Sequence, residues 1–104
     1  MIFKDKNGKT LRHGDVIKID DSIVDIIYEY EDSCNMQMFG VNATNPDWYE
    51  RNDYGYVKYY PMLDFDMNYV EIIGNIIENK EDIKLVPERT LRMARVILGD
   101  KIGD

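Results

Sequence analysis

Histidine, cysteine and tryptophan occur once each in this chain of 104 residues, as His13, Cys34 and Trp48. One cysteine excludes an intrachain disulfide and agrees with a reducing compartment. One histidine leaves Cys34–His13 as the sole thiol–imidazole pairing that could do nucleophilic chemistry, and two such residues rarely meet in space by chance. Cys34, at the start of a strand-like run, reads instead as a small buried thiol, and His13, beside a Gly-Asp turn, as an edge or surface residue. No apolar run reaches the length of a membrane span. The opening Met1, Ile2 and Phe3 pass straight into charge, without the apolar core of a signal peptide, so cytoplasmic residence is expected. Basic residues are scarce in the middle of the chain. Residues 21–86 hold four bases against fourteen acids, a net −10 within a chain of net −7. That stretch repels phosphate, so direct nucleic-acid binding is not expected, while a basic partner surface would be attracted.

What is present reads as short strands separated by turns. Residues 1–14 form a hairpin region around Asn7-Gly8, a pair suited to a type I′ turn because both of its central residues need positive φ. Gly14-Asp15 re-aims the chain. Residues 15–20 alternate as a half-buried strand, with Ile17 and Ile19 opposite Val16 and Lys18. Residues 23–31 are the longest β-rich run, with Tyr28 and Tyr30 on the face of Ile26. Strands are also expected at 34–41, 56–60 and 69–77, the last bulged or bent at Gly74. Between them lie a long polar loop at 42–55 and an irregular stretch at 62–68. Residues 79–86 suit a helical turn. Pro87 then suits the first position of a helix that stops at Gly99. The expected fold is mostly β: a small antiparallel β-barrel or roll over residues 1–84, followed by a C-terminal α-helical appendage over 85–104.

Two separated blocks carry a resemblance. Lys4-Asp5-Lys6-Asn7-Gly8-Lys9 is followed by Gly14-Asp15-Val16-Ile17, and much later comes Val70-Glu71-Ile72-Ile73-Gly74-Asn75-Ile76 closed by Glu78-Asn79. In order and spacing these resemble the YopX-like family of phage and prophage proteins. The chain departs from that pattern in lacking the extra N-terminal segment and in having Lys80 where proline is usual. The resemblance implies a compact, barrel-like β domain of phage or prophage origin without an assigned reaction, so it carries over no catalytic residue. The matched positions Asn7, Gly8, Gly14, Asp15, Gly74 and Asn75 read as residues that set backbone geometry.

No constellation of residues specifies an enzyme, and no cofactor or metal is expected. Asp64-Phe65-Asp66-Met67-Asn68 opens like a calcium loop, but Tyr69 replaces the turn glycine and Asn75 stands where a bidentate glutamate is needed. Trp48, Tyr49, Tyr54, Tyr56, Tyr59 and Tyr60 cluster within thirteen residues. They suit either half-buried packing or a partner surface, because tyrosine and tryptophan give large contact area at low entropy cost. Leu91, Ala94, Ile97 and Leu98 share one helix face, which would pack on the domain or form a homo-oligomer interface. The expected function is a non-enzymatic phage- or prophage-type interaction protein that binds a host or phage macromolecule, with a protein as the expected partner and an acidic inhibitor or nucleic-acid mimic as its sharper form. The alternatives are a homo-oligomeric structural component and a binder of a small nucleotide or metabolite.

Overall fold

The computed structural model describes residues 2–42 and 59–102. Within them lie six strands: β1 (Asp15–Ile19), β2 (Ile23–Ile26), β3 (Tyr28–Glu31), β4 (Gln37–Asn42), β5 (Tyr59–Pro61) and β6 (Val70–Asn75). One helix, α1 (Glu88–Leu98), follows. The strands make two antiparallel three-stranded sheets, ordered β2-β1-β6 and β3-β4-β5. The mostly β character is as expected; among the described residues the strands form two small antiparallel sheets, and no closed barrel is found.

The strand expected over 23–31 is in fact two strands in different sheets. They meet at Ile27, which is fully buried. Gly14 N–H donates to the Ile27 carbonyl and Ile27 N–H donates to the Asp15 carbonyl, both at 2.8 Å, so the entry to β1 pins this corner. Gly14 has φ +86°, and a Cβ there would lie 2.6 Å from Ile77, so only glycine fits.

Alternation along the strands builds two cores. Ile17, Ile19 and Val70 from one sheet meet Val41 from the other, with Leu11 and Met62 filling the space between. On the opposite face, Val16, Ile26, Tyr28 and Ile76 pack against Ala94, Leu98 and Ile102. Complete burial of such a side chain stabilises by about 1.5–3 kcal/mol relative to exposure. The central strand β1 therefore serves both cores, and Lys18 is its one residue that is not buried. The alternation of 15–20 had suggested a half-buried strand. The helix covers the face that would otherwise be wet.

Turn chemistry differs from the expectation. At Asn7-Gly8 only Gly8 takes positive φ. The turn runs from Asp5 to Lys9: Gly8 N–H donates to the Asp5 carbonyl and Asp5 N–H to the Lys9 carbonyl. One Asp5 carboxylate oxygen accepts from Asn7 N–H at 2.9 Å and Lys9 N–H at 2.8 Å. The β3–β4 connection repeats this design from Asp32 to Met36, with Asn35 as the residue at positive φ and Asp32 accepting from Cys34 and Met36 N–H. The pattern of a type I′ turn, with positive φ at both central residues, occurs instead at Asp20 (52°) and Asp21 (57°). Cys34 is thus exposed in a turn and is not a buried thiol.

Candidate functional site

A concavity among the described residues opens at the rim of the first core. It is a cleft of about 570 Å³ between the β1–β2 turn, β5 and the segment 62–69. Its floor is the edge of the core itself, since Ile19, Ile23, Tyr60 and Phe65 belong to both. Its walls carry Asp20, Asp64 and Asp66, with Ser22 and Tyr69 beside them. Two short 3-10 turns, Met62–Asp64 and Met67–Tyr69, position the far wall. Met62 is fully buried and anchors the first turn. Asp66 caps the second by accepting Asn68 N–H at 3.0 Å. The near wall is tied to it by Asp20 N–H, which donates to the Tyr69 carbonyl at 2.9 Å.

Three features give this cleft a recognition chemistry. Asp20, Asp64 and Asp66 are all exposed, and no lysine or arginine among the described residues pairs with them. Tyr60 and Phe65 pack edge to face with centroids 6.3 Å apart, which holds both rings at the floor. Leu63, which flanks the site in sequence, and Tyr69 at the rim are 52% and 57% exposed. Among the described residues no three His, Cys, Asp or Glu side chains converge closely enough to hold a metal ion. The cleft thus offers an apolar floor under dispersed negative charge. Its far wall coincides with the stretch 62–68 that reads as irregular from sequence. The available signal was the spacing of Met62, Phe65 and Met67, which point to the core while Leu63, Asp64 and Asp66 point out.

The other singled-out residues fall elsewhere. Trp48, Tyr49, Tyr54 and Tyr56 lie outside the described residues. Tyr59 is half-buried and stacks on Tyr30 with centroids 4.4 Å apart, and it also meets Tyr28 at 5.9 Å. It packs on the second core, on the sheet face opposite Tyr60. Leu91, Ala94, Ile97 and Leu98 all pack against that same core, so the chain's own sheets occupy this helix face. His13 Nδ1 accepts Glu29 N–H at 2.8 Å, which engages the imidazole in the backbone of β3.

A second groove, of about 530 Å³, runs along the outer edge of β6. Carboxylates occupy the place of a neighbouring strand here. Ile72 N–H donates to Asp5 and Asn75 N–H to Asp82, both at 2.9 Å. The Asn75 amide group donates to Asp15 at 2.9 Å and to the His13 carbonyl at 3.1 Å, while its oxygen accepts from Ile77 and Glu78 N–H. Burial first, opposed by the hydrogen bonds from Asn75 and Arg12, leaves Asp15 above its ordinary pKa. Burial would likewise raise Asp5, but the N–H groups of Ile72, Lys9 and Asn7 outweigh it and hold that carboxyl below its ordinary value. Each polar atom of the Asn75 side chain has a protein partner, so this network is spent on joining the two sequence blocks. Gly74 fits beneath Asp82, where a Cβ would lie 2.7 Å from the carboxylate.

No family model, no curated protein and no solved structure matches this chain.

Proposed function

We propose that this chain is a non-enzymatic interaction domain, of the phage or prophage type implied by its two turn blocks, that holds a basic protein partner at the cleft between the β1–β2 turn and segment 62–69. The observation that carries the reading is the cleft's composition. An apolar, aromatic floor lies beneath three carboxylates without cationic partners among the described residues. Two of them, Asp64 and Asp66, sit within the stretch 21–86 of net −10. Charge of one sign around a concave site steers an oppositely charged partner and raises its association rate. The exposed Leu63 and Tyr69 supply the apolar contact that charge alone does not give. Trp48, Tyr49, Tyr54 and Tyr56, outside the described residues, stay proposed partner contacts on sequence grounds alone.

The test is capture from a bacterial lysate by the wild type and by the double variant Asp64→Lys/Asp66→Lys, both confirmed as folded by circular dichroism. The expected result is a basic protein held by the wild type, released by raised salt and lost with the variant. Trp48→Ala in the same assay reports whether the aromatic stretch contributes. Equal capture by wild type and double variant, or tight binding of the wild type to bare duplex DNA at moderate salt, would overturn the reading. A second reading, a small-ligand binder, is favoured by the cleft volume, which lies within the roughly 300–1,000 Å³ common for ligand sites. It predicts a raised melting temperature with one member of a nucleotide and metabolite panel.

A further inference from the structure

We propose that Asn7-Gly8 is a site of spontaneous backbone modification held inert by the closed Asp5–Lys9 turn, so that the reaction runs only when this turn lifts off β6. It is the sole Asn-Gly pair in the chain, and both residues are exposed. An asparagine followed by glycine is prone to cyclise, because glycine has no side chain to hinder attack by its own nitrogen. The Gly8 nitrogen gives up its proton to solvent and bonds to Cγ of Asn7. The Cγ–Nδ2 bond breaks, and the side-chain amide leaves as ammonia. Water then opens the five-membered imide. Opening at the side-chain carbonyl gives aspartate. Opening at the main-chain carbonyl gives isoaspartate, in which the chain runs through one extra methylene. The closed turn forbids the first step. Gly8 N–H donates to the Asp5 carbonyl at 3.0 Å, and neither Lys6 nor Asn7 has positive φ, which is the pattern of a type I turn. In such a turn ψ of Asn7 is about 0°, so the Gly8 nitrogen eclipses the Asn7 nitrogen and the Asn7 side chain branches away from it. Attack needs the Gly8 nitrogen beside Cβ instead. The intervening peptide is not free to rotate into that position. One Asp5 carboxylate oxygen holds Asn7 N–H at 2.9 Å and Lys9 N–H at 2.8 Å, on either side of it. The other oxygen takes Ile72 N–H at 2.9 Å, and Lys6 N–H donates to the Val70 carbonyl at 2.8 Å, so the turn and the edge of β6 open together. Aspartate at residue 7 keeps the backbone path and lets the turn reclose. Isoaspartate moves Gly8 N–H and Lys9 N–H away from their acceptors on Asp5, which leaves the turn released from β6.

The experiment ages the purified full chain in mildly alkaline buffer, once folded and once in concentrated urea, and follows conversion of Asn7 by peptide mapping with mass spectrometry. Conversion in urea is expected to be at least tenfold faster than in the folded chain. Asp5→Asn, confirmed as folded by circular dichroism, is expected to speed the folded-state reaction fivefold or more. Asp32→Ala, which loosens the matching turn between β3 and β4, is expected to leave it unchanged. The two products of ageing in urea are then separated and returned to buffer. The aspartate form is expected to regain hydrogen-exchange protection at Ile72 N–H, and the isoaspartate form to lose it. Equal rates in buffer and urea, no acceleration in folded Asp5→Asn, the same acceleration in Asp32→Ala, or equal Ile72 protection in the two products would overturn the inference. The urea comparison and the Ile72 measurement use the native sequence, so they decide the matter even where Asp5→Asn fails to fold.

Discussion

Tyr28 is the residue whose burial is least compensated. Its ring is 1% exposed in the second core, and among the described residues its hydroxyl has no hydrogen-bond partner. An unpaired buried hydroxyl costs roughly 1–3 kcal/mol. Tyr28→Phe removes that cost and leaves the ring packing, so a gain of about 1 kcal/mol in urea unfolding is expected. Burial first, then the nearby Asp25 carboxylate, pushes the phenol pKa above its ordinary 10.0. The unfolded chain therefore ionises first as pH rises past 10, and the wild type loses stability there by a step that Tyr28→Phe lacks. His13 acts in the opposite pH range. Its Nδ1 accepts a backbone N–H, which protonation forbids. Burial first, and the Lys101 charge second, hold the imidazole below 6.5 against the pull of Glu29. As pH falls below 6.5 the unfolded chain takes a proton that the folded chain resists. Stability is full above that pH and declines toward the depressed folded value. Denaturant unfolding at about pH 7.5 and pH 5 should show this fall, with a flatter dependence in His13→Gln. An equal slope in both proteins would deny His13 the role.

At the scale of the element, the two five-residue turns Asp5–Lys9 and Asp32–Met36 are one design with two loads. In each, an aspartate accepts the N–H groups two and four residues later. Asp5 alone also reaches β6, where its second oxygen takes Ile72 N–H. Asp32→Ala should cost about 1 kcal/mol, since its turn lies in solvent where water replaces the lost acceptor. Asp5→Ala should cost about 3 kcal/mol, because three N–H groups lose their partner at a position only 5% exposed. Parallel urea titrations of the two variants check the difference, and equal losses would mean that the long-range bond to β6 adds nothing. The turn signal in the sequence was therefore the aspartate three residues ahead of Gly8 or Asn35, not the Asn-Gly pair alone. Asp20-Asp21 carried no glycine to announce its two positive φ values, and the pairing of β1 with β2, together with the bond from Asp20 N–H to the Tyr69 carbonyl, holds them there.

At the scale of the whole molecule, the helix decides how much of the chain is one cooperative unit. Leu98 is 6% exposed against strands of the domain. Leu98→Ala should therefore destabilise the isolated chain by about 2–4 kcal/mol. A helix that only glued copies together would give a variant with unchanged unfolding at low protein concentration and a smaller mass in solution. Sequence by itself determined the strand-rich class, the positions of most strands, the helix from Pro87 to Gly99, and the acidic middle, because each is written in local periodicity, turn residues and charge. It did not determine which strands share a sheet. Ile27 sits in an unbroken β-rich run, and only the bonds from Gly14 and to Asp15 divide that run between two sheets. Nor did it show that Asn75 and Asp15, sixty residues apart, share a hydrogen bond. The cleft was equally hidden. Asp20 and Asp66 lie on separate turns, and what faces them across one apolar floor is the packing of two sheets, a long-range contact that no local pattern encodes.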